Sequence, residues 1–289
     1  IIHILKITKK LLLIMKNILI LILSGLFFVF NSCSNISEKI NIMTYNIRLD
    51  TETDGINMWD DRKEGIASLI KEEDVDILGI QEALPNQIDY LSNQLKDYNY
   101  IGKGRNGGNS GEYSAIYFKS EKISLKEEET FWLSETPRVP SIGWDAAINR
   151  IVTLGVFYIK NSKKELIVYN THFDHIGKVA REKSAIMILN HITKNNYLDK
   201  SLVVMGDLNA NTDEPTIKIL SEKLEDAFKM NPLKDSIGTF NGFDINSKLS
   251  DRIDYVFTKN IKIIDYRHID KKLPNGLWGG HFISKNIYY

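Results

Sequence analysis

The chain has 289 residues, 43% of them hydrophobic and 26% charged, a balance that excludes a disordered or collagen-like polymer. A single cysteine excludes a disulfide scaffold and a zinc site built from several thiolates. Its 37 basic and 37 acidic residues cancel overall, yet Lys6, Lys9, Lys10 and Lys16 precede the first acid, Glu38. Setting those four aside leaves 33 basic residues against 37 acidic ones, a formal charge of −4. Such a body offers no global attraction for a polyanion, so long nucleic acid is not the favoured partner.

Residues 18–30 carry no charge, follow Lys16 and end at Asn31-Ser32-Cys33. That run is short for a bilayer span and right for the apolar region of a signal peptide. A small residue before a lone cysteine resembles a bacterial lipoprotein signal, which implies a start at Met15 and a lipidated Cys33. The expected organisation is an upstream extension plus signal over 1–33, a short tether over 34–39, and one domain over 40–289. On this reading the domain is exported, monomeric and held at the cell envelope; an uncleaved anchor would also leave it outside the cytoplasm.

From Ile40 onward, β-branched and aromatic runs alternate with amphipathic stretches. Strands are expected at 40–45, 76–80, 113–118, 124–133, 148–158, 165–171, 201–205, 252–257 and 261–267. Asp60 or Asp61 is expected to cap a helix that buries Ile66, Leu69 and Ile70. Pro85 suits the first turn of a second helix ending at Leu95, and residues 178–192 form a third. Glycine-rich residues 102–111 read as a loop. With no repeat or composition break after Ser37, a single α/β domain is the simplest account.

Several of these strands end in a short polar set. Thr44-Tyr45-Asn46 ends one and Gln81-Glu82 another; Asn170-Thr171-His172-Phe173-Asp174-His175 and Gly206-Asp207-Leu208-Asn209 end two more. Ligands of open α/β sheets bind beyond strand ends, so these sets are expected to converge on one cleft. Carboxylates, carboxamides and imidazoles together suit a hard divalent cation beside a phosphate. Glu82 would supply a charged oxygen and Asn46 a neutral one, which favours Mg2+, or Mn2+, over zinc. Taken singly, each residue reads as a turn former, a solvated charge or a cap. Their joint occurrence in order carries the functional reading.

Met43-Thr44-Tyr45-Asn46-Ile47-Arg48, Gly79-Ile80-Gln81-Glu82, Asn170-Thr171-His172-Phe173-Asp174, Gly206-Asp207-Leu208-Asn209 and Arg252-Ile253-Asp254-Tyr255 resemble the motifs of the endonuclease/exonuclease/phosphatase superfamily. Trp59-Asp60-Asp61-Arg62-Lys63, Gly111-Glu112-Tyr113-Ser114-Ala115-Ile116 and Gly143-Trp144-Asp145-Ala146-Ala147 resemble one bacterial branch of it. The resemblance implies a four-layered α/β/β/α sandwich with two packed mixed sheets, and hydrolysis of phosphoester bonds by in-line attack of water. By the same resemblance Glu82 and Asn46 hold the metal, and Asp207 orients or deprotonates the water. Asn209, His172 and Asn170 would face the phosphate, and Asp254 would fix His281, whose imidazolium offsets developing negative charge.

Arg150 and Asp145 fit either the substrate cleft or a salt bridge between loops, and His175 either binds or caps. Arg48 fits a carboxylate partner. The family's Ser-Asp-His is replaced by Gly279-Gly280-His281. Gly280 therefore implies weakened activity, and a ligand-binding lipoprotein without turnover is one alternative. A nuclease is the other. The favoured substrate is a small or short phosphoester.

Overall fold

The computed structural model describes residues 10, 12, 14–18, 38–230, 238–240, 247, 249–269 and 273, together with the backbone of 281–288. The chain divides into two units, Ile1–Ile36 and Ser37–Tyr289. In the first, the described residues are helical and solvent-exposed. Cys33 lies outside the described residues, as does Gly280. No helix among the described residues is long and apolar enough to cross a membrane.

The second unit is built on two six-stranded sheets. In chain order its elements are β1 (Lys39–Asn46), α1 (Trp59–Glu72), β2 (Ile77–Gln81), α2 (Pro85–Gln94), β3 (Tyr98–Ile101), β4 (Ile116–Lys119), β5 (Ile123–Trp132), β6 (Ile151–Ile159) and β7 (Lys164–His172). There follow α3 (Lys178–Lys194), β8 (Ser201–Asp207), α4 (Pro215–Ser221), β9 (Glu225–Asp226), β10 (Asp254–Lys259), β11 (Lys262–His268) and β12 (His281–Tyr288). One sheet runs β11-β12-β1-β2-β4-β3 and the other β5-β6-β7-β8-β10-β9. Each is mixed, because β1–β2 and β7–β8 are parallel and the remaining pairs antiparallel.

Side-chain alternation along the strands produces three cores. On β1, Ile40 and Ile42 point between the sheets, whereas Met43 and Tyr45 meet α1 and α2. On β7, Leu166 and Val168 join the central core, and Ile167 and Tyr169 pack on α3 and α4. On β8, Val203 and Met205 face inward while Leu202 and Val204 face the helices. The result is the α/β/β/α sandwich, with its deepest apolar layer between the sheets.

Two details of the sequence reading change. Helix α1 starts at Trp59 after Met58, which makes no side-chain cap bond, and Asp60 and Asp61 sit inside its first turn. There they favour the N-terminal end of the helix dipole. Strands β3 and β12, the short β9 and helix α4 also lie where no element was expected.

Candidate active site

Continuing the inward faces of the strands by twos leads straight to the polar residues. After Ile40 and Ile42 come Thr44 and Asn46; after Leu166 and Val168 come Asn170 and His172; after Val203 and Met205 comes Asp207. β10 runs antiparallel to β8, so Asp254 at its start stands opposite Asp207 at the end of β8. β12 runs antiparallel to β1, and His281 pairs in register with Asn46. Each inward face is therefore apolar along its length and polar at one common end of the sandwich.

At that end a cleft of about 420 Å³ is lined by Asn46, Glu82, His172, Asp207 and Asn209, with Arg48, Glu112, Arg150 and His175 around them. Asn46 ties the sheets together across it. Its Nδ2 donates to Glu82 Oε1 at 2.8 Å and to Asp207 Oδ2 at 2.9 Å. Its Oδ1 accepts the Arg48 amide at 3.0 Å and keeps a second lone pair. Glu82 sits just past β2 with φ 66° and Arg48 just past β1 with φ 61°, backbone conformations seldom adopted by residues other than glycine. Glu82 Oε2 accepts the Leu49 amide at 3.1 Å, and Arg48 Nη1 approaches it to 3.8 Å. Arg48 is also gripped by Asp54 through Nε and Nη2, each at 2.9 Å, and this pairing raises its already high pKa. Buried Gln87, on the first turn of α2, donates to the Arg48 carbonyl and holds this loop in place.

On the other sheet, Asp207 Oδ1 accepts the Asn209 amide at 3.0 Å, a tight turn that gives Asn209 a φ of 46°. Asn209 Nδ2 lies 3.0 Å from His172 Nε2 and 3.0 Å from the Phe173 carbonyl. His172 Nε2 is 3.6 Å from Asp207 Oδ2. Gly206, with φ 145°, makes the approach to β7 possible, because a Cβ there would stand 1.9 Å from the Thr171 carbonyl.

Arg150 and His175 join the cleft, with Arg150 Nη2 3.1 Å from His175 Nδ1 and Nε 3.5 Å from Asp174 Oδ2. Asp254 is fully buried, and Thr239 Oγ1 accepts its amide at 3.1 Å. The side chain of His281 lies outside the described residues. Asn170 and Asp145 do not join the cleft. Asn170 is wholly buried between the sheets, donating to the carbonyls of Ile80 and Ala115 and accepting from Gln81. Asp145 caps α3, accepting the amides of Ala180 at 2.6 Å and Val179 at 3.2 Å.

Glu112 was not among the expected site residues, although it stands in a glycine-rich loop immediately before an apolar run. Burial pushes its carboxyl above the usual range, opposed by Arg105, whose Nη2 lies 2.8 Å away. Among the described residues, no three or more His, Cys, Asp or Glu side chains form a metal cage. Glu82 and Asp207, held by a single amide group, nevertheless present oxygen donors that fit a hard cation completing its shell with water and phosphate oxygens.

A two-sheet sandwich with a carboxylate- and carboxamide-lined cleft at one end defines the class of fold. The description "Endonuclease/Exonuclease/phosphatase family" matches residues 43–269, and the chain belongs to that family. Its members are generally phosphoester hydrolases and typically use divalent metal ions. A solved family protein from Bacteroides thetaiotaomicron is 30% identical, with TM-score 0.81, over 88% of this chain and 98% of that one. A mannosyl-6-phosphatase of the same organism is 30% identical, with TM-score 0.79, over 86% of this chain and 99% of that one. Uncharacterized protein L388 of Acanthamoeba polyphaga mimivirus is 29% identical over 82% of this chain and 84% of its own length.

Proposed function

We propose that this protein is a divalent-metal-dependent phosphoesterase acting on small or short phosphoesters. The observation that carries the reading is the Asn46 carboxamide, which holds Glu82 of one sheet and Asp207 of the other at hydrogen-bonding distance from the same nitrogen. Two buried carboxylates that share one amide nitrogen offer oxygen donors to a cation and, beside it, a base for water.

Glu82, with Asn46 next to it, would hold Mg2+ or Mn2+, which when bound neutralises phosphate charge and polarises the phosphorus centre. Asp207 orients the attacking water and takes its proton. His172 and Asn209 face the phosphate oxygens. By the family resemblance, Asp254, one strand beyond Asp207, would pair with His281, and that pair would steady negative charge on the phosphate. Water oxygen bonds to phosphorus, the ester P–O bond breaks, and the leaving alkoxide takes a proton from solvent. Phosphoryl transfer asks for positioning and charge neutralisation, so a site without a Ser or Cys nucleophile suits it.

The acidic body disfavours long nucleic acid, and the 30%-identical mannosyl-6-phosphatase is named for a phosphorylated sugar rather than a nucleic acid. We propose further that the domain is exported and tethered at the envelope through a lipidated Cys33. Mass spectrometry of the mature N-terminus tests the tether, and an unmodified Cys33 ends it. The activity is tested on purified protein with Mg2+ or Mn2+ against a generic monoester, a generic diester and oligonucleotides. Metal-dependent turnover of a small ester, cut by about a hundredfold or more in Asp207→Asn, is expected. Absence of hydrolysis with either ion would overturn the assignment.

A further inference from the structure

Arg48 has no part in the hydrolytic set, although it stands beside the carboxylate that would hold the cation. Its backbone is built into the site. The Arg48 amide donates to Asn46 Oδ1 at 3.0 Å, and its carbonyl accepts Nε2 of buried Gln87 at 2.9 Å. Asp54 aims the guanidinium, taking Nε on Oδ2 and Nη2 on Oδ1, each at 2.9 Å. A fork of this kind fixes the plane of the group as well as its position. Nη1 comes within 3.8 Å of Glu82 Oε2, and the side chain lines the same cleft as Glu82, Asp207, Asn209 and His172. The side chains of Arg48, Asp54 and Glu82 are only 22%, 15% and 11% exposed, so solvent ions screen these charges less than on open surface.

Before a metal binds, Arg48 balances the charge on Glu82. A divalent cation taken up by Glu82 then becomes a like charge beside a guanidinium that Asp54 holds in place, and metal binding has to overcome that repulsion. Arg48 cannot relieve it by losing a proton, because Asp54, with Glu82 behind it, outweighs burial and raises its already high pKa. A phosphate drawn to the cation meets the same guanidinium with the opposite sign. For the anion, Arg48 is an attractive charge and a hydrogen-bond donor at once.

Resting on the reading of the site as a metal-dependent phosphoesterase, we infer that Arg48 is a phosphate-binding residue that raises affinity for the anion and lowers affinity for the cation alone. One side chain thus sets the two affinities against each other. Metal without phosphate is held more weakly than the oxygen donors of Glu82 and Asn46 would otherwise allow.

Calorimetry at low ionic strength measures Mg2+ alone, and then inorganic phosphate with Mg2+ saturating, on the native protein and its variants. Turnover of p-nitrophenyl phosphate and bis(p-nitrophenyl) phosphate is followed in parallel. Arg48→Gln is expected to bind Mg2+ about tenfold more tightly and phosphate about tenfold more weakly than the native protein. A loop merely loosened by losing the Asp54 contact would weaken both. Arg48→Lys keeps the charge without the fork, so its Mg2+ affinity is expected within about threefold of native, with phosphate weakened less than in Arg48→Gln. Arg48→Gln with Asp54→Asn removes both charges and is expected to bind Mg2+ at least about threefold more tightly than native. A double variant that binds Mg2+ no better than native would assign the gain to Asp54 turning onto the metal, and overturns the inference. Mg2+ held no more tightly by Arg48→Gln, or phosphate held as well as by the native protein, also overturns it, and native turnover then leaves the phosphoesterase reading standing. No hydrolysis of either ester by the native protein in Mg2+ overturns both.

Discussion

Gln81 Nε2 donates to Asn170 Oδ1 at 2.7 Å across the interface of the two sheets, and to Thr44 Oγ1 at 3.0 Å in the same buried layer. Asn170 answers with both of its amide protons, at 2.9 Å to the Ile80 carbonyl and 2.8 Å to that of Ala115. The close approach needs Gly79, where a Cβ would stand 2.7 Å from Asn170 Oδ1 and 2.6 Å from Met205 Cε. This stitch sets the separation of the sheets directly below the cleft. Asn170→Ala takes a donor from the buried Ile80 and Ala115 carbonyls and an acceptor from Gln81 Nε2, while Ala115 keeps the Ile80 amide and Gln81 keeps Thr44 Oγ1, so it is expected to cost about 1–3 kcal/mol by urea denaturation. A loss of turnover with an unchanged midpoint would instead return Asn170 to the phosphate.

Gly79→Ala tests the same contact from the other side. The added methyl overlaps Met205 and Asn170, and an overpacked sheet interface is expected to lose about 1–3 kcal/mol. A denaturation midpoint equal to that of the native protein would show that the sheets part freely at this level.

Most of the sandwich could be read in advance because its buried strands are short β-branched runs bounded by turn residues, as in 201–207. β12 was missed because Lys285 and Asn286 interrupt its apolar pattern, and β3 because Tyr98–Ile101 is a four-residue edge strand. The polar strand ends gave the location of the site, but not the depth of each residue. Asn170 and His172 share a face, yet two residues along a strand is about 6.6 Å, enough to move a side chain from cleft to core. Asp145 was equally opaque, since the amides it caps belong to Val179 and Ala180, far along the chain. Arg48 was legible as the partner of a carboxylate and meets Asp54, whereas Glu112 gains meaning only once the loop before it brings it into the cleft.

Asp174 gives a pH dependence with a defined sign. Burial raises its pKa, but the amides of Gly177, Ala147 and Ile176, together with Arg150, outweigh burial and hold it below the usual carboxylate range. The folded state therefore releases this proton more readily than the unfolded chain does. Its contribution is complete above the unfolded value of about 3.9 and is lost as the pH falls through the lower folded value. The denaturation midpoint is expected to drop as the pH is taken from 6 toward 3, and Asp174→Asn is expected to flatten part of that fall. Identical profiles for the two proteins would remove Asp174 from the linkage.

Cation binding at Glu82 should be visible without any turnover. A ligand at a hundredfold excess over its Kd stabilises the folded state by about 2.7 kcal/mol, so saturating Mg2+ is expected to raise the melting temperature of the native protein. Glu82→Gln keeps the Asn46 and Leu49 contacts in outline but loses the charge, and the Mg2+ shift is expected to vanish. A chelator should abolish hydrolysis, and added Mg2+ should restore it. An equal thermal shift in Glu82→Gln would place the cation elsewhere.

Arg252 anchors the start of β10, two residues before Asp254. Its Nη1 and Nη2 meet Asp226 Oδ1 and Oδ2 at 3.0 and 2.5 Å, and its guanidinium lies 4.2 Å from the Tyr255 ring centre and 4.6 Å from that of Phe228. Both partners are buried. Arg252→Ala leaves Asp226 as a lone buried charge, and a cost of about 3–5 kcal/mol is expected. Arg252→Met with Asp226→Leu removes both charges and fills the space, so the double variant should recover most of that loss. Because β10 carries Asp254 to its place opposite Asp207, the single variant should also lower kcat more than it raises KM. A double variant as unstable as the single one would mean that the stacked guanidinium, rather than the charge pairing, holds the strand.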